Sequence, residues 1–143
     1  MSLEVIILAA GQGTRMRSEK PKVLHPLAGK PMLVHTIEQA QRLQPGQTHI
    51  VVGHQAHQVE AVVASLGVKC VLQAEQLGTG HAVAQAMPAV DSDAIVLVLY
   101  GDVPFFEMLP GRWNSRYSLP CNSLIIVWGF EVYLIALYHG PLV

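Results

Sequence analysis

A chain of 143 residues is long enough for one domain with a substantial core. Apolar residues make up 51% and charged residues 13%, with a formal net charge of −1, which excludes a basic footprint for nucleic acid or an anionic membrane surface. The two cysteines, Cys70 and Cys121, stand far apart without metal-ligand spacing, which excludes a disulfide framework and fits a reduced, cytoplasmic protein.

The start, MSLEVIILAAGQG, carries an acid and no basic flank, so it does not read as a signal peptide. Residues 4–9 (EVIILA) form a short, β-branched apolar run closed by Gly11, which predicts a buried strand. Residues 31–43 predict a helix, with Pro31 at the first helical position and Leu33, Ile37 and Ala40 on one face. A second strand is expected at 48–52. A second helix follows at 57–67, with Val59, Val62, Val63 and Leu66 on one stripe and Gly67 as its stop. A third strand is expected at 69–73 and a third helix from Gly80, ended by Pro88. The fourth strand, 94–100 (AIVLVLY), is apolar without alternation, so both of its faces should be covered. This alternation predicts an α/β parallel sheet with strand order third, second, first, fourth. The crevice then lies between the carboxyl ends of the first and fourth strands, where the loops holding GQGTR and YGDVP converge.

Gly11 and Gly13 let backbone approach a ligand and offer N–H groups to an anion, and Arg15 and Lys22 add positive charge. Arg17 and Lys20 read as solvated neighbours, and an ordinary turn would explain the glycines equally well. Two familiar phosphate motifs fail. A dinucleotide fingerprint needs glycine where Met16 stands, and a Walker loop needs Ser or Thr where Pro31 stands. A nicotinamide enzyme and a P-loop ATPase both drop out. Asp102, just past the fourth strand, suits Mg²⁺ shared with phosphate oxygens, or else is a turn residue after Gly101. In QAEQLGTGHA the amides of Gln73 and Gln76 can read a base edge; the alternative is a loop in which Thr79 caps a helix. His54 and His57 are three apart but no further ligand spacing supports zinc, and His25, His35, His49 and His81 read as packing or surface residues. There is no Ser/His/Asp or Cys/His pattern.

Three stretches, ILAAGQGTRM…PKVL, LQAEQLGTGHA and LYGDVP, resemble the sugar-phosphate nucleotidyltransferase superfamily. Together they resemble the N-terminal uridyltransferase domain of bacterial bifunctional N-acetylglucosamine-1-phosphate uridyltransferase / glucosamine-1-phosphate acetyltransferases, over about residues 3–104. The resemblance implies a Rossmann-like parallel sheet and a Mg²⁺-dependent reaction. UTP and N-acetylglucosamine 1-phosphate would give UDP-N-acetylglucosamine, a precursor of peptidoglycan and lipopolysaccharide, and pyrophosphate. It implies that Leu8, Ala9, Ala10 and Gly11 line the nucleotide, with Ala10 and Gly11 near the uracil and Gly13 and Thr14 in the same loop. Arg15 and Lys22 would neutralise phosphates and the departing pyrophosphate. Gln73 would contact the base, with Gln76, Gly78 and Thr79 continuing that wall. Tyr100 and Gly101 would border the substrate, and Asp102 would bind Mg²⁺, making Arg15, Lys22 and Asp102 the catalytic set. Other readings are a non-catalytic UTP-binding fragment, or a related nucleotidyltransferase with another acceptor or base. Neither nucleic acid nor membrane is an expected partner.

After Pro104 the composition changes. All three Phe, both Trp and three of the four Tyr fall in 105–143, which contains no Lys and no Asp. In the resembled family this region builds the sugar pocket and supplies an Asn as second metal ligand; 105–143 has no counterpart. The β-helix domain that builds the family's trimer has none either, so trimerisation is not carried over. The expected division is a partial nucleotidyltransferase domain over 1–104 and an atypical tail over 105–143, aberrant or out-of-frame, the alternative being a divergent but genuine tail that packs on the sheet. The sheet would then be incomplete at its C-terminal side, with an exposed edge at the fourth strand. Residues 123–143 are apolar enough to span a bilayer, but Glu131 near the middle and the missing basic flank argue against it.

Overall fold

The computed structural model describes residues 2–11, 18–103, 124–128 and 131–135. Strand β1 (Leu3–Ala9) is followed by a 3-10 turn at Lys22–Leu24 and a small hairpin of β2 (Pro26–Leu27) and β3 (Lys30–Pro31). Helix α1 (Met32–Gln41), β4 (Gln47–Val52), α2 (Ala56–Val63), β5 (Lys69–Leu72), α3 (Thr79–Ala86) and β6 (Ile95–Tyr100) then alternate. The last described strands are β7 (Leu124–Trp128) and β8 (Glu131–Ile135). The main sheet runs in the order β5-β4-β1-β6-β7-β8, so the first four long strands stand in the expected order. All neighbours are parallel except β7 and β8.

The continuous apolar runs follow from layers on both faces of this sheet. Along β1, Val5, Ile7 and Ala9 pack with Leu33, Ile37 and Ala40 of α1 and Val59 and Val63 of α2. Ile6 and Ala10 face the other way, toward Ala82, Val83 and Ala86 of α3. Val62 and Leu66 of the predicted second stripe are partly buried against the first of these layers.

Several boundaries differ from expectation for local reasons. Pro31 is the N-cap of α1 rather than its first helical residue. Its ψ of 140° is extended because it also pairs with Pro26 in the hairpin. The hairpin turn passes through Ala28 (φ 49°) and Gly29 (φ 78°). Helix α1 ends at Gln41, with Arg42 and Leu43 continuing as a turn. Thr79 is not a cap either; Gly78, at φ 100°, takes that place and Thr79 is the first residue of α3. Beyond Ala86 the chain tightens into the 3-10 turn Met87–Ala89 around Pro88.

The exposed edge expected at the fourth strand is not found: β6 is an interior strand, because β7 pairs along its far side. β7 lies parallel to it, with Val96 opposite Leu124 and Val98 opposite Ile126, and β8 returns antiparallel, with Trp128 opposite Glu131. The apolar C-terminal run therefore contains these two strands, and no helix among the described residues is long and apolar enough to cross a membrane.

Candidate functional site

At the carboxyl end of β1 the chain leaves the sheet through Ala10, which is buried, to Gly11, which is exposed with open space where a side chain would begin. Gly13, Thr14 and Arg15 lie outside the described residues. The described chain resumes before the Lys22–Leu24 turn, which Val23 and Leu24 anchor in the core while Lys22 stays exposed. On the other side of the crevice, β6 ends at the half-buried Tyr100 and continues to Gly101. The Gly101 N–H donates to Leu8 O at 2.9 Å. A Cβ at Gly101 would stand 3.0 Å from Leu8 O and 3.2 Å from both Leu33 and Val23, so glycine permits this close approach. The approach delivers Asp102 to the loop from β1, where Lys22 Nζ meets Asp102 Oδ2 at 2.6 Å. The turn that follows the first expected loop and the loop after β6 meet through this ion pair.

A third wall comes from the segment after β5. Gln76 Nε2 donates to Ala10 O at 2.5 Å, tying this segment to the end of β1. Gly53, just past β4, sits beneath that bond; a Cβ there would fall 2.6 Å from Ala10 O and 2.8 Å from Gln76 Nε2. Gln73 is 3% exposed, and its backbone N–H donates to Val52 O at 2.8 Å. Its side-chain Nε2 reaches Gly78 O at 3.3 Å and His81 Nδ1 at 2.9 Å. Gly78 and Thr79 are exposed at the start of α3.

The structure thus brings Leu8, Ala10, Gly11, Lys22, Gln76, Gly101 and Asp102 to one crevice, with Gln73 and Gly78 on its β5 side. Two lining residues contribute backbone more than side chain. The Ala9 side chain belongs to the core under α1, and Leu8 packs against the layer under α3. Sequence reasoning passed over Gly53 and the link from Gln73 to His81. A glycine directly after a strand was the available signal for the first. His49 is fully buried, whereas His54 and His57 are exposed.

Among the described residues no group of three or more His, Cys, Asp or Glu could enclose a metal. The single carboxylate of Asp102 fits a hard, oxygen-seeking divalent cation that completes its shell with phosphate oxygens and water, as Mg²⁺ does. Elsewhere, the Lys30 ammonium, bonded to Glu38 at 2.8 Å, holds that carboxyl below its ordinary range. Burial, with Glu60 adding to it, pushes the Cys70 thiol up, so it stays protonated and poorly nucleophilic.

Over residues 5–140 the chain matches the MobA-like NTP transferase domain. It is 62% identical over 108 residues to the bifunctional protein GlmU of Pseudomonas aeruginosa (strain LESB58), covering 76% of this chain and 24% of that protein. The chain therefore spans about a quarter (24%) of the length of that curated relative. Among solved structures, Rv0371c of Mycobacterium tuberculosis H37Rv superposes with a TM-score of 0.65 at 25% identity, covering 73% of this chain and 54% of that one. A nucleotidyl transferase from Methanothermobacter thermautotroptrophicus gives a TM-score of 0.66 at 24% identity, covering 72% and 51%, and speaks to the fold alone.

Proposed function

The chain belongs to the MobA-like NTP transferase domain family, and we propose that it transfers the uridylyl group of UTP to N-acetylglucosamine 1-phosphate, giving UDP-N-acetylglucosamine and pyrophosphate. The product would be a cytoplasmic precursor of cell-envelope polymers. The observation that carries the proposal is the Lys22–Asp102 contact at 2.6 Å, because it sets a cation and a carboxylate side by side where the exposed Gly11 backbone opens. That is the equipment a triphosphate needs, and no protein nucleophile is required.

An oxygen of the sugar phosphate attacks the α-phosphorus of UTP. The bond from that phosphorus to the bridging oxygen breaks, and pyrophosphate leaves with the electron pair. Phosphoryl-type transfer gains most from in-line positioning and charge neutralisation. Backbone N–H groups of the Gly11 loop bind phosphate oxygens, and Lys22, together with Arg15, neutralises the charge that builds on the leaving group. Gln73 and Gln76 hold the base against Ala10 and Gly11, while Gly78 and Thr79 extend that wall and Tyr100 and Gly101 border the acceptor. Asp102 would hold a divalent cation, Mg²⁺ by its donor chemistry, which would supply positive charge beside the reacting phosphate.

Equilibrium titration with UTP in Mg²⁺, followed by pyrophosphate release on adding N-acetylglucosamine 1-phosphate, tests the proposal. UTP binding with pyrophosphate release is the expected result. Lys22→Met and Asp102→Asn should each lower turnover by about 10²- to 10³-fold, the usual loss for a preorganised charge-stabilising group. Because the ion pair is 46% and 28% exposed, neither change should shift stability by more than about 1 kcal/mol. Release without UTP preference, with GTP outcompeting UTP, would sink the base assignment. A second reading is a nucleotide-binding unit without turnover, for which UTP binds and no pyrophosphate appears.

A further inference from the structure

We infer that His81 is a positioning residue that locks the amide of Gln73 with its oxygen outward, so that this site selects a pyrimidine carrying a hydrogen on N3 and rejects cytosine. The inference rests on the proposed role of the crevice in binding a nucleotide, and deepens it by assigning the atom that reads the base.

The argument is an accounting of donors. Gly78 O accepts the first helical bond of α3, from Ala82 N–H at 3.0 Å, so its place is set by the helix. The same oxygen lies 3.3 Å from the terminal atom of the Gln73 side chain. A carbonyl cannot donate, so that atom must be the NH₂ group; turning the amide over would set oxygen against oxygen. The second hydrogen of the NH₂ group points to His81 Nδ1 at 2.9 Å. Nδ1 therefore accepts, and the ring carries its proton on Nε2. The exposed Gln85 amide stands with its Nε2 3.2 Å from His81 Nε2; this tautomer requires that free amide to turn over and present its oxygen there.

Both Gln73 donors are thus spent, and Oε1 is left as the unpaired atom of an amide only 3% exposed. Among the described residues the sealed, unpaired side-chain atoms are His25 Nε2 and His49 Nδ1, so Oε1 is not one of them and retains some accessible surface. Burial and two hydrogen bonds fix its direction before any ligand arrives. An acceptor held in this way pairs with N3–H of uracil. Cytosine offers a lone pair at N3 instead, leaving a buried acceptor unpaired and two lone pairs opposed. One such mismatch typically amounts to a ten- to hundred-fold discrimination. Removal of His81 would free one donor of the amide and its rotation, letting Gln73 serve either base.

The test is competitive equilibrium binding of UTP and CTP to the full chain and three variants, with pyrophosphate binding and thermal unfolding measured alongside. Wild type should prefer UTP by at least about tenfold. His81→Ala should cut the UTP/CTP ratio at least fivefold while pyrophosphate affinity stays unchanged. His81→Asn, whose amide oxygen accepts in place of Nδ1, should restore most of the ratio. Gln73→Ala should abolish it. A Gln73→Ala effect with an unaltered ratio in His81→Ala overturns the inference and leaves the base-reading role of Gln73 standing. An unaltered ratio in Gln73→Ala, or no UTP preference in wild type, removes the base-reading role and the inference with it. If His81→Ala instead lowers UTP, CTP and pyrophosphate binding together with the unfolding temperature, His81 is only a structural residue and the inference fails.

Discussion

Gly53 has room for a hydrogen and nothing larger. A methyl group there would enter between Ala10 O and Gln76 Nε2, at 2.6 and 2.8 Å, two atoms that are themselves hydrogen-bonded. The bond and the methyl cannot share the space. Gly53→Ala should therefore detach the Gln76 segment from the end of β1. Overpacking of this kind costs about 1–3 kcal/mol, and the same displacement should weaken UTP binding by roughly tenfold. Urea unfolding and UTP titration of the one variant read both effects; unchanged affinity would mean that the Gln76 contact does not shape the site. Gly11, Gln73 and Asp102 were legible in the sequence as residues just past strand ends, at the carboxyl edge of a parallel sheet, whereas Lys22, in the turn Lys22–Leu24, stood out only as a cation following the glycine loop. Gly53 was not legible, because its constraint comes from a side chain that reaches it only after β5 has been laid beside β4. The link from Gln73 to His81 was hidden for a similar reason: it depends on how Gly78, at φ 100°, turns the chain into α3.

At the scale of elements, the long strands and three helices follow from pattern. Apolar runs of strand length are separated by stripes such as Leu33, Ile37 and Ala40, all fully buried. What pattern misses is how an element begins. Pro31, suited to the first helical position, stands one place earlier as the N-cap, and Thr79, suited to the N-cap, stands one place later, because the preceding hairpin claims Pro31 and the backbone turn sets Gly78 at the cap. The hairpin itself escapes a periodicity argument, since each of its strands has two residues. Its turn also carries an avoidable cost. Ala28 sits at φ 49°, in the left-handed region where a Cβ crowds the following carbonyl. Glycine removes that crowding but brings more freedom to the unfolded chain, so the two terms partly offset. Ala28→Gly should raise stability by about 0.5–1 kcal/mol, read as a higher urea midpoint at constant slope. Loss of stability would place the αL preference below the entropy term at this turn.

Across the whole molecule, the two ends of the sheet have different duties. The carboxyl ends of β1, β4 and β6 carry the crevice. At the amino ends, Glu4 joins three segments: its Oε2 meets His49 Nε2 of β4 at 2.7 Å, and its Oε1 accepts from the Asp91 N–H at 3.1 Å, ahead of β6. Neighbouring backbone bonds, Gly46 N–H to Leu3 O and Ile95 N–H to Ser2 O, both at 2.8 Å, close the same end. The order of the sheet was readable from the alternation of strands and helices, but this clasp was not. A lone acid in an apolar run and a histidine 45 residues later give no local signal that they meet. Glu4→Ala would leave His49 Nε2 unpaired as well as Nδ1, which has no partner and is already buried. Stranding one member of a buried polar pair is a costly change, and about 3 kcal/mol of stability should be lost. Replacing both residues, Glu4→Ala with His49→Leu, removes the stranded polar atoms and should recover more than half of that loss. The site should not register either change. Glu4 and Gly11 stand seven positions apart along β1 and its exit, about 23 Å at the rise of a strand. UTP affinity of the folded fraction should therefore equal that of wild type in both variants, measured at urea concentrations well below the unfolding transition. An affinity that fell together with stability would show that the clasp reaches the crevice through the sheet.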